Sequence, residues 1–426
     1  MRRSVILLAG GVAIAGAAVL VAGSGGTAAE IQGAALDSAG TPGATAQAQL
    51  VPPPPPPPPA VDLGKLALTG DHYESAGRRL TLDPELQAAA EKLLAETKTP
   101  RAAIVAMTPD GRILAIVGRR TADPTGKGDA TDDPQLAVEL WAPAASVFKL
   151  VTASALVQAG VDPDDKIMFH GGVRSVLESN LRDDRRDNNQ QSLLWAVAHS
   201  NNAILGKLAF QHLDPAQLGS QMHALGLDAP MLAAPLGGLQ LVPGKLTLPA
   251  DKDLSFARTA AGFSAWATST DSKPTDSKPT DSAAATGTWG SQLSALGGAL
   301  LAATFADDGE QPTPYLVDGS AALARHRVLS TDTARKVGRM MQGACEFGSA
   351  SRSFRHSKVA VAGKTGTLTQ ESPNYMQFSW FVGYAPVDKP EIVIAVVLGN
   401  PENWQMKGHE VGQKLITAFL HKRPPS

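Results

Sequence analysis

The sequence predicts a mixed α/β fold, in which one antiparallel β-sheet collects strands from both ends of the ordered chain and helices flank it. Three observations carry this expectation. A β-prone hairpin pattern comes early, β-rich segments crowd the C-terminal end, and apolar residues at helical spacing dominate the stretch between them. With 426 residues, 43% hydrophobic and 18% charged, the chain is long and apolar enough to bury the core of one large domain or two.

At the N-terminus, Met1-Arg2-Arg3 precedes an apolar run from Val5 to Val21 that is rich in Ala and Gly. A basic front and a hydrophobic middle are the marks of an export signal. Residues 1–29 are expected to form either a signal peptide cut near Thr27, Ala28 and Ala29 or an N-terminal membrane anchor spanning residues 4–22. Either way the protein is exported to an extracytoplasmic, periplasmic location. Residues 30–79 read as a disordered linker. They are rich in Ala, Gly, Thr and Gln, followed by eight consecutive prolines, Pro52 to Pro59, that favour a stiff polyproline II rod.

Order is expected from about Leu80. Asp83 can cap a helix with Pro84 at its first position, and Leu86, Ala89, Ala90, Leu93 and Leu94 recur at helical spacing. Ala102 to Met107 and Arg112 to Val117 are β-prone runs joined by Thr108-Pro109-Asp110-Gly111, a turn signal. A polar loop from Thr121 to Pro134 leads to a helix beginning just after Pro143. Arg182-Asp183-Asp184-Arg185-Arg186-Asp187 reads as a solvated loop of mixed charge. Helical spacing resumes at Leu193, Leu194, Val197 and Ala198 and, after His199-Ser200-Asn201-Asn202, at Ile204, Leu205, Leu208 and Phe210. Residues 268–288 hold two Thr-Asp-Ser-Lys-Pro repeats and are expected to form a low-complexity, mobile surface insertion. Leu293 to Phe305 reads as a helix; Lys358 to Ala362, Gln377 to Ala385 and Glu391 to Leu398 read as strands, and Gly408 to Phe419 as a closing helix.

A net charge of −2 and a pI near 6.5 supply no broad basic field, which argues against nucleic acid as a partner. Cys345 is the sole cysteine, so neither an intrachain disulfide nor a cysteine-based metal site can form. The nine histidines show no metal-ligand spacing, and no metal or cofactor is expected.

Chemistry is suggested first by Ser146 and Lys149, three residues apart at the opening of an apolar run. On a helix these side chains share a face, so the lysine amine can reach the serine hydroxyl. A hydroxyl attacks poorly unless something takes its proton, and a lysine stripped of water near a second cation can do so. A Ser-x-x-Lys pair turns up by chance about once in a chain of this size, so alone it decides nothing. Two further motifs follow in order: Ser200-Asn201-Asn202 and Lys364-Thr365-Gly366-Thr367. His199 beside Ser200 suggests a Ser-His-Asp hydrolase, but no Gly-x-Ser-x-Gly elbow accompanies it, and a packing role is expected instead. Trp380, Phe381 and Tyr384 are expected in the core.

Together the three motifs resemble those of the penicillin-binding proteins and related serine β-lactamases. The chain resembles the transpeptidase domain of penicillin-binding proteins from about Leu80 to Lys422, with further matches at Leu80-Thr81-Leu82-Asp83-Pro84-Glu85-Leu86-Gln87 and Trp380-Phe381-Val382-Gly383-Tyr384-Ala385-Pro386. The resemblance implies a β-lactamase/transpeptidase-like fold, with an all-helical subdomain beside the sheet. It implies that Ser146 is acylated, that Lys149 accepts its proton, that Ser200 relays a proton to the leaving amine and that the Asn202 amide holds the substrate backbone. Lys364 would depress the proton affinity of Lys149 and attract a carboxylate, to which Thr365 and Thr367 donate, while Gly366 permits close approach of the substrate. Backbone N–H groups of Ser146 and Thr367 would form the oxyanion hole. The expected substrate is a peptidoglycan stem peptide, with β-lactams as inhibitors and a separate glycosyltransferase as a partner, since the stretch before Leu80 is too short to be one. Two departures stand out: Ala145 occupies a place where the family usually has Gly, and no glutamate lies between Glu178 and Glu310 to serve deacylation as in class A β-lactamases. D,D-Carboxypeptidase or β-lactamase activity by the same residues, or a β-lactam-binding sensor or wall-binding module, are the rival readings.

Overall fold

Alternating apolar residues give the centre of the molecule its form. The structure, a computed structural model, describes residues 58–123, 127–171, 175–263, 290–320, 325–371 and 374–421; the expected leader, most of the proline run and the low-complexity insertion lie outside them. Helix α1 (Pro84–Thr97) starts as expected: the Asp83 side chain accepts from the N–H groups of Glu85 and Leu86, and Pro84 opens the first turn. Strands β1 (Arg101–Met107) and β2 (Ile113–Thr121) form the hairpin, and a short β3 (Ala130–Asp132) pairs with β2 inside the expected polar loop.

The helical stretch follows, with α2 (Lys149–Gln158), α3 (Leu193–His199), α4 (Asn202–His212), α5 (Pro215–Ala224) and α6 (Leu254–Ala260). Next come α7 (Ala295–Ala306), α8 (Thr331–Glu346) and the short α9 (Ser351–Phe354). Strands β4 (Ala362–Gln370), β5 (Met376–Ala385) and β6 (Ile392–Asn400) then complete the sheet, and α10 (Gly408–His421) closes the described chain. The strand order is β4-β5-β6-β1-β2-β3, antiparallel throughout, and the two ends of the chain meet where Val393 to Gly399 of β6 pair with Met107 to Arg101 of β1. Period-two alternation divides the core between the faces. Ile394, Val396 and Leu398 point to the α1 and α10 side, whereas Val393, Ala395 and Val397 join the larger cluster with α2, α7 and α8.

Three expectations are corrected. Order begins before Leu80: Ala67–Thr69, His72–Ser75 and Arg78–Arg79 form a three-stranded sheet, and Val61 and Leu63 are buried. The Val61 N–H donates to the Gly237 carbonyl at 2.8 Å, so residues just past the prolines have partners that their composition does not advertise. The third-motif strand starts at Ala362 rather than ending there, because nine cross-strand pairs with β5 outweigh the weak strand preference of Gly363 and Gly366. Asp187, placed in a solvated loop, turns inward: its side chain is 6% exposed and its carboxylate holds Lys207 Nζ at 2.7 Å and His170 Nδ1 at 2.5 Å.

Candidate active site

The nucleophile turn is tighter than an α-helix. Ala142–Pro143 pairs as a short strand with Gln292 and Leu293, the Trp380 indole N–H donates to the Pro143 carbonyl at 2.8 Å, and Ala145–Phe148 form a 3-10 turn before α2 starts at Lys149. In a 3-10 turn, side chains three apart eclipse one another, which sets Lys149 directly over Ser146. Their Nζ and Oγ atoms lie 2.7 Å apart.

Lys149 is fully buried, and its amine also donates to Asn202 Oδ1 and to the Ala261 carbonyl, each at 2.6 Å. Both of those oxygens only accept. A neutral amine has two hydrogens and one lone pair. With the hydrogens given to Asn202 and Ala261, the lone pair is left facing the Ser146 hydroxyl, as proton abstraction requires. Burial, and then the positive charge of Lys364, push the Lys149 ammonium well below its ordinary range.

The second motif divides its labour. Ser200 ends α3 in the left-handed conformation, with φ 58°, and the Asn201 side chain caps α4 by accepting from the Ile204 N–H at 3.0 Å. Asn202, the first residue of α4, is thereby aimed at Lys149. From the third motif, Lys364 is fully buried; its amine donates to Ser200 Oγ at 3.0 Å and to the Thr365 carbonyl at 2.8 Å, and burial draws it down to about 7.

Gly366 makes room for the nucleophile turn: a Cβ there would lie 3.3 Å from Val147 Cγ2 and 3.4 Å from Ala145 Cβ. Thr365 is buried, its hydroxyl 2.6 Å from Ser349 Oγ, while Thr367 is exposed at the strand surface. Lys149 thus joins Ser146 and Asn202 in one set of hydrogen bonds and Lys364 joins Ser200 in a second, with Thr365, Gly366 and Thr367 on the same strand as Lys364. His199 stacks on Trp195 with ring centres 4.2 Å apart, and Trp380, Phe381 and Tyr384 are buried.

Sequence reasoning missed three contributors: the Ala261 carbonyl, the Trp380 indole N–H and Ser349. A backbone carbonyl leaves no compositional trace, and Ser349 lies outside all three motifs. Among the described residues no group of His, Cys, Asp or Glu is arranged to hold a metal ion.

A buried lysine amine facing a serine hydroxyl, on a mixed α/β scaffold, is the arrangement that acyl transfer of the Ser-Lys type requires. The chain belongs to the penicillin binding protein transpeptidase domain family, whose pattern matches residues 102–421. It is 25% identical over 356 residues to peptidoglycan D,D-transpeptidase PbpA of Mycolicibacterium smegmatis, a match covering 75% of this chain and 66%, just under two thirds, of that protein. It is 24% identical over 337 residues to the probable peptidoglycan D,D-transpeptidase PenA of Neisseria flavescens, covering 76% of each. In fold it is similar to penicillin-binding protein A of Mycobacterium tuberculosis, solved as a ceftriaxone acyl-enzyme complex, with a TM-score of 0.59 at 22% identity over 80% of this chain and 79% of that one. The D,D-transpeptidase domain of a peptidoglycan glycosyltransferase from Eggerthella lenta gives 0.61 at 22% identity, over 85% and 92%.

Proposed function

We propose that this chain is a D,D-transpeptidase that cross-links peptidoglycan stem peptides through an acyl-enzyme on Ser146. The observation that carries the reading is the three-way hold on the Lys149 amine, which directs its lone pair at the nucleophile. Ser146 Oγ attacks the carbonyl carbon of the penultimate D-alanine and its proton passes to Lys149 Nζ. Backbone N–H groups of Ser146 and Thr367 receive the oxyanion, each worth about 3 kcal/mol. As the bond to the terminal D-alanine breaks, its nitrogen takes a proton through Ser200, and free D-alanine leaves. A neighbouring stem-peptide amine then attacks the ester carbon, and the Ser146 hydroxyl is restored. Lys364, Thr365 and Thr367 hold the terminal carboxylate, and the Asn202 amide holds the substrate backbone while it aims Lys149.

The same site would be acylated by β-lactams. The lack of glutamate between Glu178 and Glu310 supports a long-lived adduct over rapid hydrolysis. Work on the cell wall requires an extracytoplasmic location, reached through the N-terminal apolar segment as signal or anchor. Among the described residues no helix is long and apolar enough to cross a membrane, and residues 4–22 lie outside them. A separate glycosyltransferase would supply the strands to be joined.

The test incubates the intact chain with fluorescent penicillin and locates the adduct by mass spectrometry. A stoichiometric label on Ser146, lost in Ser146→Ala, and cross-linked dimers from stem peptides are the expected results. Label that persists in the variant sinks the site assignment; trimmed monomers or nitrocefin turnover in place of dimers would make the protein a hydrolase.

A further inference from the structure

The carbonyl that steadies Lys149 belongs to the end of a helix whose last acceptors are disposed of in an unequal way. A helix leaves its final four carbonyls without intrahelical donors. At the end of α6 the Phe263 N–H donates to the Arg258 carbonyl and the Gly262 N–H to that of Thr259, both at 2.9 Å. With Gly262 at φ +86° this is a Schellman turn, which satisfies two of the four. The other two are taken by side chains of α2. The Thr152 hydroxyl donates to the Ala260 carbonyl at 2.7 Å and the Lys149 amine to that of Ala261 at 2.6 Å.

Lys149 and Thr152 are three residues apart, on one face of α2, and both are fully buried. The turn also presses on the nucleophile: a Cβ on Gly262 would lie 2.4 Å from the Ala145 carbonyl oxygen and 3.1 Å from Ser146 Cα. No side chain of the turn can re-aim the Ala261 carbonyl. It goes where the turn goes, and the Thr152 hydroxyl holds the turn one residue away.

We propose that the Schellman turn closing α6 is a fourth part of the active site, and that Thr152 is a positioning residue that keeps the Ala261 carbonyl on Lys149. The proposal rests on the acyl-transfer reading above. In the resting amine, the carbonyl takes one hydrogen and so helps to turn the lone pair towards Ser146. When the Ser146 O–H bond breaks and the new N–H forms, the same carbonyl and the negative end of α6 face the ammonium. Lys364 is the charged group that bears on Lys149; Ser146, Asn202 and Ala261 face it as neutral groups. Without the Thr152 hydroxyl the buried Ala260 carbonyl loses its donor, and the turn shifts to find another.

The test compares the intact parent with Thr152→Val, which keeps the shape and deletes the hydroxyl, and Thr152→Ser, which keeps the hydroxyl. The second-order rate of Ser146 acylation by fluorescent penicillin is followed against pH. Thr152→Val is expected to slow acylation about tenfold at neutral pH and to move the acid limb to lower pH, because the ammonium form loses its acceptor. The limb at higher pH stays in place, and Thr152→Ser restores both rate and limb. Thr152→Ala takes the place of the valine variant should that fail to fold. A parent-like profile, an even loss at every pH, or a serine variant as slow as the valine one would overturn the proposal. A parent that takes no label on Ser146 would instead sink the acyl-transfer reading, and this inference with it.

Discussion

Lys149 can act as a base only while it lacks a proton, and two effects favour that form: complete burial, then the charge of Lys364. Lys364 is itself drawn down to about 7 by burial. The signs predict a bell. On the proposed mechanism, acylation gains as rising pH deprotonates Lys149 and loses as pH climbs through about 7, where Lys364 gives up the charge proposed to attract the substrate carboxylate. In Lys364→Gln the falling limb should vanish and the rising limb should move to higher pH, since Lys149 is relieved of a neighbouring cation; labelling rates across pH check both. Ala145 has φ 47°, left-handed for a residue with a Cβ. That conformation costs about 1 kcal/mol, and glycine would remove the cost but give back about as much in unfolded-chain entropy. Ala145→Gly is therefore expected to keep its penicillin labelling and to shift stability by less than about 1 kcal/mol in urea titration, so the departure from the family's usual glycine is tolerated for a physical reason.

Among the elements, the loop before α3 is tied to the middle of α4 by a buried charge pair. Lys207 Nζ, with a side chain 2% exposed, meets Asp187 at 2.7 Å, while its second partner Asp183 is 92% exposed. Burial opposes the charge on Asp187, yet hydrogen bonds from His170 and Lys207 hold its carboxyl below the usual range. Asp187→Asn should cost about 3 kcal/mol by leaving the buried Lys207 with only the exposed Asp183 as its charged partner, whereas the double change with Lys207→Met should recover most of the loss. Urea unfolding of the four proteins in the cycle tests this. Six consecutive polar residues from Arg182 to Asp187 look alike in sequence, and only the fold singles out the last as the one that turns inward. By contrast the Asp83 cap, the hairpin and α10 were legible, because each rests on local chemistry: a side-chain cap, a turn with Pro and Gly, and a regular apolar period.

For the whole molecule, the six-stranded sheet explains how motifs more than 200 residues apart in sequence come to lie side by side. Its edge strand β4 brings Lys364 to Ser200 and Gly366 to the Ser146 turn. The short strands before α1 belong to this body as well. A chain cut at Leu80 loses Val61, Leu63 and Tyr73, each buried and each worth about 1.5–3 kcal/mol. It should melt below one that begins at Pro58, and equal melting temperatures would show that the N-terminal segment contributes nothing.

The sequence by itself determined the mixed α/β class, most element positions and the three motifs that the fold brings together, because period, caps and motif residue types are local properties. Only the tertiary structure decided that a 3-10 turn carries Ser146, that the end of α6 supplies a carbonyl to Lys149, and that Asp187 points inward. Those facts depend on which backbone groups and charges are brought together and shut off from water, and neither quantity is written in the order of residues along one stretch of chain.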